Sequence, residues 1–234
     1  MDPASISGIK NAARACSDVR RGLLEWVKPG ISTADIDRKA VELIKETGAV
    51  SAVYGREGFP GHICICLNSQ VAHFHGREDV YISTDDLIKI DVSLRLESWV
   101  ADCGASLYLG DDSSVSALTD ANRQAVVETA QSLCPGLPVS DIPDVIDCMK
   151  ESYYYYRELT GHGTGSELHT SPLITAGSKE KLRAGQIIAL EAVFAAVPGR
   201  LEYNGLEISS DSLNAHHEET VLITANGSEI LTLP

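Results

Sequence analysis

Four acidic side chains in this chain occupy places where apolar residues are expected. Asp91 interrupts IKIDVSL, Asp102 interrupts WVADCGAS, Glu191 interrupts IIALEAVF, and Glu218 begins EETVLIT. If a turn at Glu97-Ser98 joins the first two segments as a hairpin, Asp91 faces Gly104. Asp102 then lies two residues along on the same face, as a diagonal neighbour. Carboxylates that close in a half-buried sheet repel and raise each other's pKa. A bound cation removes the conflict. A strand edge facing water would account for one such acid, but less well for two on one face. Glu191 has apolar neighbours on both sides, and a buried unpaired carboxylate costs on the order of several kcal/mol, so it needs a partner. Glu218 stands beside Glu219, and the expectation is that one points inward while the other meets water.

The stretch TGHGTGSELH, residues 160–169, adds His162 and His169. Its glycines suggest a phosphate loop, but such a loop follows a strand, opens a helix and often carries a lysine. This stretch has no lysine, and the preceding CMKESYYYYRELT reads as helix. The glycines are better explained as allowing close backbone approach, so that His162 reaches the acids. Four carboxylates and an imidazole form an oxygen-rich, sulfur-free donor set suited to Mn, Fe(II), Co or Zn. They are too many for one ion with an open position and fit two ions sharing carboxylates.

These side chains need a scaffold of helices and strands. Helical periodicity runs over 5–27, Pro29-Gly30 breaks it, and Ser32 or Thr33 caps a second helix to about residue 47. HICICLNS, DLIKIDVSLRL and SWVADCGASLYLG follow as strands. The second half starts again with helices over 118–133 and from Ser140 to about Tyr156, with Pro135-Gly136 between them. The strands GQIIALEAVFAAV, HHEETVLITA and SEILTL close the chain. PGISTADI at 29–36 resembles PGLPVSDI at 135–142, and DLIKIDVSL resembles QIIALEAVF with one acid at the fifth residue of each. Two related halves, about 5–110 and 117–231, are therefore expected within one catalytic domain spanning 1–234, with Asp91 and Glu191 near a shared axis.

Bulk composition narrows the function. A net charge of −14 disfavours polynucleotide binding. No run of roughly 18 apolar residues is present, so no membrane span is expected. Six cysteines without a CxxC pair, and an N-terminal stretch without secretory character, suggest reduced thiols in a cytoplasm.

Five motifs in order, CICLNSQVAHFHG, KIDVSLRLESWVADCGAS, GHGTGSELHTSP, ALEAVF and HHEETVLITANGSEILTL, resemble the methionine aminopeptidase family. The resemblance covers nearly the whole chain and is closest to the compact, type I-like members. It implies an α+β "pita-bread" fold: a pseudo-two-fold repeat of helix-helix-β units with a curved, mainly antiparallel sheet. It also implies a dinuclear aminopeptidase. Asp91 would bind one ion, Asp102 and Glu218 would bridge both, and His162 and Glu191 would complete the second. A hydroxide shared by the ions would attack the scissile carbonyl, with Glu191 as proton shuttle. His169 would steady the tetrahedral intermediate, and His73 would lie near the substrate amine. The substrate would be the N-terminus of a peptide or nascent chain, and the protein a monomer or homodimer.

Several positions depart from that family. The His73 motif reads HFHG, with Phe74 where glycine is usual and His75 beyond it. Asp102 is followed by Cys-Gly-Ala-Ser instead of Thr-Ser, and Glu191 by Ala192 instead of Pro. In the residue pocket, Phe59 and Cys64 fit an apolar lining, but Arg56 falls where an aromatic is expected. Leu159 and Leu168 replace larger rings, and residues around Asn204 replace a late tryptophan. A shifted substrate, with Arg56 pairing to a carboxylate, competes with Arg56 as a surface residue beside Glu57. Two other classes stand beside the aminopeptidase. One is a hydrolase or lyase acting on a small molecule with the same metal site. The other is a non-catalytic binding protein, which would be expected to have lost ligands.

Overall fold

The structure, a computed structural model, describes residues 2–149 and 152–233. Helix α1 (Pro3–Trp26) starts where the Asp2 carboxylate accepts from the amides of Ala4 and Ser5, with Pro3 in the first turn. Its apolar stripe, Ile9, Ala13, Cys16, Val19 and Leu23, is buried. Each large aliphatic side chain in such a stripe contributes about 1.5–3 kcal/mol. Helix α2 (Thr33–Thr47) opens on a reciprocal Ser32–Asp35 capping box and ends at Gly48 in the left-handed region.

After the short β1 (Val50–Ser51), β2 (Cys64–Leu67) and β3 (Gln70–Ala72) come two long strands, β4 (Leu87–Leu96) and β5 (Trp99–Tyr108). They form a hairpin that turns at Glu97, whose φ is 54°. Helices α3 (Ser113–Ser132) and α4 (Ile142–Met149) follow. Then come β6 (Tyr154–Tyr155), β7 (Gly161–Gly163), β8 (Thr170–Leu173) and β9 (Ile187–Ala195). The chain closes with β10 (Leu201–Asn204), β11 (Glu207–Ser210), β12 (Asn214–Ile223) and β13 (Ser228–Ile230).

The main sheet runs β1-β4-β5-β12-β9-β7-β8, and its pairings are antiparallel. Helix α1 packs on β4 and β5, and α2 packs against α1, β1 and β2, in one apolar cluster. Helices α3 and α4 form a second cluster over β9 and β12. Strand β12 is buried at every position, because helices cover one of its faces and a cavity wall covers the other. A small sheet, β10-β11-β3, stands beside that cavity.

Two expectations need correction. The segment through Tyr156 is not helix. Helix α4 ends at Met149, residues 150 and 151 lie outside the described residues, and Tyr154-Tyr155 pair with Ala195-Phe194 of β9. Tertiary pairing overrides the local pattern here, and Tyr155 and Tyr156 are buried by it. No helix therefore leads directly into the glycine-rich stretch among the described residues. GHGTG is nevertheless no phosphate loop, because it is a strand followed by bends, with no helix opening after it. Glu219 also does not meet water. It is fully buried on the helix face, 3.2 Å from Arg20 of α1. The strand's alternation does send it away from Glu218, but that face is covered by helices and not by solvent.

Candidate metal centre and substrate cavity

Strand register sets the site. Asp91 of β4 pairs with Gly104 of β5, Gly104 with Glu218 of β12, and Glu218 with Glu191 of β9. Paired residues share a face, so three carboxylates lie in one row across four adjacent strands. Asp102, two residues from Gly104, joins them on that face. Cys64 of β2 extends the row beyond Asp91.

His162 enters from β7, which pairs with β9 so tightly that a Cβ on Gly161 would lie 2.1 Å from the Ala189 carbonyl oxygen. Gly161 also has φ of 120°, closed to most side chains. The glycine therefore supplies the close approach the sequence suggested. His162 Nδ1 lies 3.1 Å from the Gly163 carbonyl oxygen, to which it donates. That leaves Nε2 with a free lone pair, 3.9 Å from Asp102 Oδ2. Asp102 is fixed by Ser93, whose hydroxyl donates to Oδ1 at 2.8 Å. Its amide donates to Thr220 Oγ1 at 2.9 Å.

The electrostatics are those of a cation site. Burial, then the charges of Asp102 and Glu191, push the Asp91 carboxyl well up. Burial, then Asp102 and Asp91, do the same to Glu218. Burial also raises Asp102, although His162 and Ser93 oppose it. Glu191 goes the other way. Burial works against its charge, but His216, His162 and His73 hold it below the usual range. Asp91 Oδ1 is buried without a hydrogen-bond partner among the described residues. A buried, unpartnered carboxylate oxygen among acids that repel one another fits a divalent ion. Asp102, His162 and Glu218 offer donor atoms within 4.8 Å of one another, and so do Glu191, His216 and Glu218.

A cavity of about 270 Å³ opens onto this row. Its wall includes the five predicted ligands, His73, His169, Arg56, Phe59, Cys64, Leu159 and Leu168, so these candidate ligand, catalytic and substrate residues border one space. His169 stands edge-on to His162, with ring centroids 4.2 Å apart. Partial burial, then its neighbours His162 and Arg56, lower its pKa to about 4. His73 has φ of 61°, and its Nδ1 sits 2.9 Å from the Leu206 carbonyl oxygen in the β10–β11 turn. His75 is not on the cavity wall. It faces Glu207 at 3.9 Å and the edge of Phe59.

Sequence reasoning missed His216. Its Nε2 lies 3.2 Å from Glu191 Oε2 and 3.8 Å from Glu218 Oε2. The signal was available, because His216 is two residues before Glu218 and a strand puts both on one face.

Metallopeptidase family M24 matches residues 7–225, and the chain belongs to it. It is a metal-dependent aminopeptidase with the pita-bread fold. The methionine aminopeptidase of Staphylococcus epidermidis is 31% identical over 97% of this chain and 95% of its own length. That of Clostridium acetobutylicum is 29% identical over 97% and 96%. Among solved structures, the methionine aminopeptidase of Thermotoga maritima superposes with a TM-score of 0.93 at 26% identity, covering 100% of this chain and 98% of that one. Prolidase from Pyrococcus furiosus shares the fold, with a TM-score of 0.83 at 20% identity, over 100% of this chain and 65% of its own. No helix among the described residues is long and apolar enough to cross a membrane.

Proposed function

We propose that this aminopeptidase works with two divalent ions, Mn, Fe(II), Co or Zn, held by Asp91, Asp102, His162, Glu191 and Glu218, and removes the N-terminal residue of peptides or nascent chains. The observation that carries this is the carboxylate row: acids from four strands and one imidazole converge on a cavity, with one buried Asp91 oxygen unpartnered among the described residues. Ions bound there supply Lewis acidity to a water molecule and to the scissile carbonyl.

The chain's own groups do the rest. Glu191, kept ionised by its histidine neighbours, takes the proton released by the attacking water and passes it to the leaving amine. His169, neutral because its pKa is low, offers a hydrogen bond to the developing oxyanion. His73, anchored to the Leu206 carbonyl, lies on the path of the substrate backbone. Phe59, Cys64, Leu159 and Leu168 receive the first side chain of the substrate, methionine or a residue of similar apolar character. Arg56 on the cavity wall takes a carboxylate further along the peptide. We assign all of this to one catalytic domain over 1–234, with two related halves about 5–110 and 117–231, acting in the cytoplasm as a monomer or homodimer.

The test is metal-stripped protein reloaded with each ion and incubated with a mixed panel of short peptides, every mass being followed. Metal-dependent release of an N-terminal residue, absent in Glu191→Ala, is the expected result. Two bound ions without cleavage of any peptide would remove the peptide-trimming role.

A further inference from the structure

Gly104 leaves a gap in the carboxylate row. It sits between Asp91 and Glu218 in register, yet it has no side chain to put there. The His216 ring fills the gap. A Cβ on residue 104 would lie 2.5 Å from His216 Cε1 and 2.8 Å from Nδ1, so the ring fits only because residue 104 is glycine. The backbone of His216 is held as well. Its amide donates to Ser106 Oγ at 2.9 Å, and the Ser106 hydroxyl donates back to its carbonyl oxygen at 2.9 Å. The imidazole is thus buried, seated on a glycine floor, and aimed across the row.

Its Nε2 is 3.2 Å from one Glu191 oxygen and 3.8 Å from one Glu218 oxygen. One N–H cannot point at both. Ligands about 2.1 Å from a common ion stand roughly 3.0–3.4 Å apart in octahedral or tetrahedral geometry. His216 Nε2 therefore has ligand-like spacing to Glu191, stands somewhat farther from Glu218, and shares with both one group of donor atoms within 4.8 Å of one another. His162 Nε2 is no closer to Asp102, at 3.9 Å.

We propose that His216 is a sixth protein ligand, giving the centre a second imidazole donor, and that Gly104 is the small residue that admits it. This inference rests on the proposed metal centre and deepens it. A second nitrogen donor in place of oxygen strengthens binding of later divalent metals such as Co, Ni and Zn more than that of Mn. The centre is therefore biased toward zinc or cobalt over manganese.

The experiment uses the full chain, wild type and His216→Gln, stripped and reloaded with Zn(II) or Mn(II). Affinities are measured by competition with a chromophoric chelator, and the Zn-loaded wild type is crystallised. The expected result is His216 Nε2 about 2.0–2.3 Å from an ion. The Zn-over-Mn preference should fall about tenfold or more in His216→Gln. Gly104→Ala, whose methyl displaces the ring, should reproduce the lost preference while leaving His216 in the sequence. A crystal showing the His216 nitrogen more than about 3 Å from any ion, or an unchanged preference in both variants, overturns the sixth ligand and leaves the five-ligand centre standing. No Zn(II) or Mn(II) bound by the wild type overturns both.

Discussion

Arg20 donates from a single nitrogen, Nη1, to the backbone oxygen of Glu218 at 3.1 Å and to the carboxylate of Glu219 at 3.2 Å. A helix residue 198 positions away in sequence thereby holds the strand that carries Glu218, one of the proposed metal ligands. Burial opposes the Glu219 charge, but His217 and Arg20 hold its carboxyl below the usual range. The second Arg20 guanidinium nitrogen donates to the Thr232 carbonyl at 2.9 Å, which ties in the C-terminal segment.

Arg20→Met should therefore destabilise the fold by about 3–5 kcal/mol, because it strands a buried carboxylate. Adding Glu219→Gln should restore a large part of the loss. Urea unfolding of the single and double variants measures both. A single variant as stable as wild type would show that the pair holds nothing.

Asp91→Asn should separate stability from metal binding. With chelator present, it removes one of several repelling buried acids, and the fold should gain about 1–3 kcal/mol. With metal present, the variant should show less thermal stabilisation by ions than wild type. Thermal melts with and without Zn(II) decide it, and a loss of stability in chelator would contradict the crowding of these acids.

Gly161→Ala should disrupt the β7–β9 pairing, since its methyl would meet the Ala189 carbonyl. An overpacked close strand contact costs about 1–3 kcal/mol, and the positive φ adds on the order of 1 kcal/mol. Because His162 follows directly, metal affinity should fall with stability. Retention of full affinity would mean that β7 can shift without moving the histidine.

Arg56→Ala should leave peptides with an amidated C-terminus unaffected, while KM for short peptides with a free C-terminal carboxylate rises about tenfold, or about 1.4 kcal/mol. Equal kinetics for both peptide sets would return Arg56 to the surface.

The Ser32–Asp35 box carries a pH dependence. The hydrogen bond from Arg38, then those from Ser32, lower the Asp35 pKa to about 2, below its ordinary 3.8. A depressed carboxylate contributes stability above the unfolded pKa and loses it as pH falls through the folded one. The stability gap between wild type and Asp35→Asn should be full above pH 5 and shrink as pH drops from about 4 toward 2. A gap that is constant from pH 6 to pH 3 would show that the charge plays no part.

The acids of the proposed metal centre were legible in sequence because each breaks an apolar strand, and a two-residue period converts Asp91, Asp102, Glu191 and Glu218 into one face. The hairpin register followed from the turn at Glu97, so Asp91 opposite Gly104 could be read directly. The strand at Tyr154-Tyr155 could not, because its reason lies in Ala195 and Phe194 of β9. Strands of three or four residues, such as Gln70–Ala72 and Thr170–Leu173, have too few residues to show a period. Glu219 was misplaced because alternation tells which face a side chain takes but not what covers that face. The face taken by His216 was readable from its spacing to Glu218, but the room for its ring was not, because that room comes from Gly104 on a neighbouring strand.

The tetrad His216-His217-Glu218-Glu219 sends one histidine and one glutamate to each face of β12. Sliding the strand by a single residue would exchange the two pairs and leave the residue types on both faces unchanged. Hydrophobic patterning, which ordinarily penalises such a slip, is therefore silent over this stretch. The two faces differ in what waits opposite: an arginine and the C-terminal strap on one side, a row of acids on the other. Either register would hand Arg20 a glutamate, so alignment here is set from outside the tetrad, by the ladders that β12 forms with β9 and β13.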